Sequence, residues 1–309
     1  MRKLNALLDY FKFVLRHTFG GSSMAESATA PRDVDPETVR SILANTPPGG
    51  VTVLDVRQPW EYEQFHLPGA TLLPLGELEE RMGTVPTDKP LIVYCHSGRR
   101  SAAAASLLAG HGHPGVMNML GGVMAWTGAT AVGAPQTGLQ HYRGDETPEE
   151  ILALAYAMEA GLGEFYECLA STAATPELAE TFSRLAGFED KHKLMVYHLY
   201  KRLHPESAGV EDLAAKAAGG ATGKVLEGGR SGEEILADAK TLDGAHPALE
   251  LAMGVEAQAM DLYMRQAALA ANDEARAALL DLAKEERTHL RSLAVLMDKL
   301  GPASEAAPA

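Results

Sequence analysis

Two segments 97 residues apart carry the same unusual pattern. Leu178, Phe182, Leu185, Val196, Leu199 and Leu203 step mostly by three and four, the spacing of one buried helix stripe. Ala275, Leu279, Leu282, Leu293, Leu296 and Leu300 repeat it. Inside each stripe stands a glutamate followed three residues on by a histidine: Glu189 and His192, then Glu286 and His289. The preceding helical stretch adds a lone glutamate each time. Glu159 lies among Ala155, Met158, Leu162 and Tyr166, and Glu256 among Ala252, Val255, Ala259 and Tyr263. From lone glutamate to Glu-x-x-His is 30 residues in both copies. Thr175 and Asn272 match as N-caps, with Pro176 at the favoured first helical position. A helix pair therefore occurs twice. Four helices must bury four carboxylates and two imidazoles. Unpaired, each buried carboxylate costs several kcal/mol, which a marginally stable domain cannot absorb. Two divalent cations would largely neutralise them. The alternative, a set of partly solvated ion pairs, sits badly with the rarity of buried unpaired glutamate.

The rest of the chain has a different texture. Residues 33–135 alternate strand and helix signals. VTVLDV (51–56) and PLIVYC (90–95) are short apolar, β-branched runs, VMNML (116–120) is a weaker third, and SAAAASLLAGHG reads as helix. That alternation predicts an α/β fold with a mostly parallel sheet. Residues 136–147, in a Gly- and Pro-rich stretch, read as a linker, and 148–301 as an all-α four-helix bundle with a long crossover between Leu203 and Pro247. SGEEILADAKTL (231–242) reads as a short helix within that crossover. Residues 1–32 read as an extension, disordered or an amphipathic helix with Leu4, Leu7, Leu8, Phe11 and Leu15 on one face, and 302–309 as a disordered tail. No apolar stretch is long enough to span a membrane. The net charge of −14 argues against a nucleic-acid partner. Only two cysteines, Cys95 and Cys168, rule out a disulfide framework or a four-cysteine metal knuckle, and a reducing cytoplasm fits best.

Cys95 closes the second clear strand, and Gly98 then opens a helix. Loop amides and the positive helix end stabilise a thiolate there, with Arg99 and Arg100 adding charge, so the thiol should fall below its free value of about 8.5. The stretch 34–128 resembles a rhodanese, or sulfurtransferase, domain. Cys95-His96-Ser97-Gly98-Arg99-Arg100 is similar to that family's Cys-x-x-Gly-x-Arg loop, and Asp55, Arg57, Glu61, Tyr62, His66, Pro68 and Gly69 to its first signature, with Phe65 where a glycine is usual. LGGVMAW (120–126) resembles its closing segment. Four residues separate Cys95 from Arg100, where related phosphatases have five, so the ring suits one sulfur atom rather than a phosphate. The resemblance implies a transient persulfide on Cys95, a donor such as thiosulfate, Arg99 or Arg100 to orient it, and a thiol or protein acceptor. Asp55, His96, Ser97 and Gly98 complete the implied site.

The six residues Glu159, Glu189, His192, Glu256, Glu286 and His289 make up the ligand set of ferritin-like di-iron and di-manganese bundles. Residues 147–301 resemble the rubrerythrin branch, which implies two iron ions, with manganese also suited to the ligands. Ala259 stands where that branch usually brings a further glutamate, and its usual four-cysteine electron centre is missing. Many ferritin-like bundles pair, so a homodimer is one option. The leading expectation is a sulfurtransferase coupled to a di-iron centre of oxidase, peroxidase or iron-binding type. A di-iron stress or iron-handling protein with an accessory sulfur-binding module is the alternative, and a non-catalytic two-module interaction protein a third. Cys168, Tyr166 and Tyr263 read as packing, and His111, His113, His198 and His204 as solvated surface.

Overall fold

A computed structural model describes residues 30–207, 209–219, 235–236, 239, 242 and 244–300. The extension before Ala30, the tail after Leu300 and most of the short helix expected over 231–242 lie outside the described residues. The chain divides into two compact units between Pro135 and Gln136.

The first unit is a parallel five-stranded sheet in the order β1-β5-β4-β2-β3: β1 Arg32–Val34, β2 Thr52–Asp55, β3 Thr71–Leu72, β4 Leu91–Tyr94 and β5 Val116–Met119. Four helices join them: α1 Pro36–Asn45, α2 Pro59–Gln64, α3 Leu78–Arg81 and α4 Arg99–Gly110. Both sheet faces are covered, so the central strands are apolar throughout rather than alternating. Val53, Ile92, Tyr94, Met117 and Met119 face one core, with Val39 and Ile42 of α1. Leu54, Leu91, Val93, Cys95 and Val116 face the other, with Ala104, Ala105 and Leu108 of α4. The period of two thus puts Cys95 on the α4 side. β1 and β3 were not anticipated; at three and two residues they are too short to show a period.

The second unit is helical: α5 Pro148–Thr172, α6 Pro176–Leu203, α7 Val210–Gly219, α8 Ala245–Leu269 and α9 Asp273–Leu300. Thr147 and Glu150 form a capping box on α5, and the hydroxyl of Thr175 accepts the Leu178 amide on α6. The segment expected to be a linker is instead part of this unit. It holds a 3-10 turn at Leu139–His141, the Thr137 carbonyl accepts from Arg265, and Tyr142 joins the core. One buried aromatic outweighs the Gly-rich composition around it.

The apolar interior comes in two clusters. One gathers Met158, Val196, Ala259 and Ala283, the other Leu162, Ala186, Val255 and Leu293. Each long helix passes from one cluster to the other, and its ligand residues fall between: 159 between 158 and 162, 189 and 192 between 186 and 196, 256 between 255 and 259, 286 and 289 between 283 and 293. A shift of 97 carries residues of one cluster into the other, so the repeat is a pseudo-twofold whose axis runs through the polar layer. The stripe endings Leu203 and Leu300 are exposed, 49% and 42%, because the helices outrun the core there.

Candidate active site and metal centre

Cys95 follows β4 and is buried. Gly98, at φ +91°, caps α4 and turns its N–H onto Cys95 Sγ at 3.1 Å. Burial pushes the thiol up, but the Ser101 hydroxyl and the amides of Ser101, Ser97 and Gly98 outweigh it, and the thiol is lowered. The loop is held from behind by the glycine turn after β5. Val123 N–H donates to the Cys95 carbonyl at 2.8 Å and Met124 N–H to that of His96 at 3.1 Å. Gly122 has to be glycine: a Cβ there would lie 2.3 Å from the Cys95 carbonyl oxygen. Arg100 faces the sulfur and is clamped by Glu61 through two 2.7 Å bonds, which bring that carboxyl down to about 2. His96, Ser97 and Arg99 are exposed at the rim. Asp55 has a partner of its own in the turn after β2. Fully buried, it pairs with Arg57 at 2.6–3.0 Å, and that arginine also donates to the Phe65 carbonyl, fixing the β2–α2 turn.

The structure brings all six expected ligands together in the polar layer of the bundle, each less than 10% exposed. His192 Nδ1 lies 2.8 Å from Glu189 and 3.4 Å from Glu159; His289 Nδ1 lies 3.0 Å from Glu286 and 3.2 Å from Glu256. The two imidazoles stack at 3.3 Å. Ligand atoms of Glu159, Glu189 and His192 lie within 4.8 Å of one another, as do those of His192, Glu256 and His289. Metal ions fit this donor set. Glu159 Oε2 is buried with only the long 3.4 Å approach of His192 Nδ1 and no well-formed hydrogen bond. Burial, with Glu189 adding repulsion, lifts Glu159 to about 8 against the pull of His192. Burial opposes the charging of His192, yet bonds to Glu159 and Glu189 raise it to about 11. Carboxylates crowded at this depth favour additional positive charge among them, which a divalent cation would supply.

The family model for a rhodanese-like domain matches residues 35–129, and that for rubrerythrin matches residues 150–225. A sulfurtransferase of Allochromatium vinosum is 36% identical over 94 residues, covering 30% of this chain and 86% of that protein. The chain belongs to the rhodanese family. YrkF of Bacillus subtilis is 34% identical over 119 residues, 38% of this chain and only 63% of its own length. The thiosulfate sulfurtransferase GlpE of Pseudoalteromonas translucida is 35% identical over 79 residues, 26% of this chain and 75% of that one. This rhodanese domain is thus joined to a rubrerythrin domain. The rubrerythrin match ends within the crossover, so the second helix pair of this rhodanese fusion enters the site through the 97-residue repeat and the geometry of the bundle.

Three residues of the rhodanese site were not singled out from sequence: Ser101 and Asn118 beside Cys95, and Gly122 behind it. Asn118 left a signal, a lone amide inside the apolar run VMNML. Two blander readings need correcting. Cys168 is exposed rather than packed: half a turn from Glu159 leads to solvent, not to a core. His113 is buried rather than solvated, with its ring nitrogens against the carbonyls of Leu108 and Val85. Tyr166 and Tyr263 do lie in the core. No helix among the described residues is long and apolar enough to cross a membrane.

Proposed function

We propose that the chain is a sulfurtransferase that carries sulfane sulfur on Cys95. The observation that carries this reading is the Gly98 N–H on Cys95 Sγ at 3.1 Å, with the Ser97 and Ser101 amides converging on the same atom. In the first step the thiolate attacks the outer sulfur of a donor such as thiosulfate. A new S–S bond forms, the donor's S–S bond breaks, and sulfite leaves with the electron pair. The negative charge then rests on the outer sulfur of the persulfide, within reach of the loop's amides. Arg99, exposed at the rim, meets the anionic donor, while Arg100, held by Glu61, supplies a fixed positive charge. In the second step an acceptor thiol, small or protein-borne, attacks the outer sulfur and the electron pair returns to Cys95. Thiosulfate treatment should add one sulfur to the Cys95 peptide, and cyanide should release it as thiocyanate. Retention of that activity in Cys95→Ser would sink the proposal.

We infer further that Glu159, Glu189, His192, Glu256, Glu286 and His289 hold two iron ions, a donor set that manganese also satisfies. When bound, the ions supply redox chemistry toward oxygen or peroxide. The protein's part is to fix the four carboxylates and to keep the layer dry between two apolar clusters. A second reading, in which the bundle leads and the rhodanese domain is accessory, draws support from that enclosure. Iron-loaded protein that consumes peroxide without any persulfide turnover would favour it. If the two activities are coupled, Glu189→Ala alters persulfide turnover under oxygen; identical turnover would uncouple them.

A further inference from the structure

The hydroxyl of Ser101 has one proton and two neighbours with a use for it. Asn118 Oδ1 lies 2.6 Å away on one side and Cys95 Sγ 3.5 Å away on the other. Asn118 is buried on β5, on the sheet face that also carries Cys95 and receives α4. Its amide is oriented by β1: Nδ2 donates to Asp33 Oδ1 at 2.7 Å, from the directly paired position in the neighbouring strand. A carboxylate only accepts, so Oδ1 is the atom left to face Ser101. A carbonyl oxygen likewise only accepts, so at 2.6 Å the serine proton points at Asn118. While Cys95 is a thiol, its S–H can donate to Ser101 Oγ, and every group is satisfied. Once Cys95 is a thiolate, the hydroxyl is needed at the sulfur, and turning there leaves a buried carbonyl without its donor.

We propose that Asn118, held in place by Asp33, competes with Cys95 for the Ser101 proton, so that the hydroxyl turns to the sulfur only when the sulfur is charged. The proposal rests on the reading of Cys95 as the sulfur carrier. It gives the hydroxyl two positions in the cycle. It faces Sγ in the attacking thiolate. It returns to Asn118 in the persulfide, where the inner sulfur is neutral and the charge sits on the outer one. When the acceptor attacks the outer sulfur, the electron pair of the breaking S–S bond returns to Sγ and the hydroxyl turns back. Ser101 touches the reacting atom; Asn118 and Asp33 are positioning residues. The charged group that faces Sγ is Arg100, itself clamped by Glu61, and the remaining partners are the amides of Ser97, Gly98 and Ser101.

The test is the pH dependence of Cys95 alkylation by iodoacetamide in the full chain, read on the Cys95 peptide so that exposed Cys168 does not contribute. Asn118→Leu removes the competitor, and alkylation below neutral pH should become about threefold faster, with the profile displaced to lower pH. Asp33→Ala, at an exposed edge position, lets the amide turn over and should give a smaller change in the same direction; it carries the test if Asn118→Leu fails to fold. Ser101→Ala should displace the profile to higher pH, and adding Asn118→Leu to it should change nothing more, because no proton remains to compete for. An unchanged or slower Asn118→Leu, or an acceleration that survives in the Ser101→Ala background, overturns the proposal. Thiosulfate loading of the wild-type chain separates the two ideas. Displaced alkylation profiles with no sulfur on Cys95 would remove the carrier reading and leave the competition standing. Normal loading with undisplaced profiles would remove the competition alone.

Discussion

The Cys95 thiol is lowered by the Ser101 hydroxyl and by the loop's own amides, those of Ser101, Ser97 and Gly98, all within six residues of the sulfur, with a glycine turn pressed against the loop from behind. The four glutamates of the bundle stand in helix interiors, whose amides are used in the helix's own hydrogen bonds. His192 and His289 lie against them, and burial still lifts Glu159 to about 8. A buried anion on a loop can be neutralised by backbone dipoles; a buried anion inside a helix needs a cation, either a side chain, as Arg265 serves Asp261 at 2.7 Å, or a bound ion. The two sites should therefore fail in different ways.

The largest difference should appear on removing metal. With ions bound about a thousandfold above their dissociation constants, they stabilise the bundle by about 4 kcal/mol, which is on the order of 10 °C in melting temperature for a unit of this size. Chelation should lower the helical melt by that amount and leave anaerobic sulfur loading of Cys95 unchanged. A melt indifferent to chelation would mean that the glutamates are paired by the histidines alone.

The reverse experiment attacks the backbone site. Gly122→Ala would place a Cβ 2.3 Å from the Cys95 carbonyl oxygen and 2.6 Å from that of His96, at φ +59°. The loop must shift, and with it the amides that face the sulfur. Destabilisation of about 3 kcal/mol and a fall of roughly a hundredfold in persulfide formation are expected, with metal content intact. Unimpaired persulfide formation would show that the amides are not what holds the charge.

Legibility in the sequence divides along the same line. The loop from Cys95 to Arg100 is contiguous, so its chemistry could be read from six letters, and β2, β4 and β5 stood out because buried parallel strands are apolar runs. The ligands of the bundle span residues 159–289 and became readable only because the chain repeats itself, so that each helix vouches for its counterpart. What escaped was tertiary. β1 shows no pattern of its own, yet its Asp33 orients Asn118 from the neighbouring strand. Tyr142 gives no hint in a Gly-rich stretch that it will find a core. Cys168 obeyed the helical period, but the period says which way a side chain faces and not what waits there.

A smaller effect tests the charge beside the thiolate. Glu61 sits at about 2 in the fold against an ordinary 4.5, chiefly through its bonds to Arg100. A depressed carboxyl stabilises the fold above its ordinary value and loses that contribution as pH falls toward the folded one. Glu61→Gln should destabilise the first unit at neutral pH by about 1 kcal/mol once solvent screening of the arginine, 34% exposed, is allowed for. The gap to wild type should close between pH 4.5 and 2. Both tryptophans, Trp60 and Trp126, lie in this unit, so tryptophan fluorescence reads it selectively. A gap that stays constant through acid would mean that the carboxylate acts through shape and not through charge.

The smallest effect compares the two halves of the bundle. Gly163 lies one turn after Glu159, and its repeat counterpart is Met260. A Cβ on Gly163 would meet the Glu189 Cβ at 3.3 Å, so the glycine leaves that ligand slack. Gly163→Ala brings two opposed changes. Alanine favours the helix by up to about 1 kcal/mol, whether or not metal is present. Crowding Glu189 by a few tenths of an ångström acts only when that carboxylate must hold its ligating position. The chelated variant should therefore melt slightly above chelated wild type, while its gain on adding metal should be smaller. An equal gain in both proteins would mean that the space beside Glu189 plays no part in binding, and that the two half-sites differ in sequence without differing in grip.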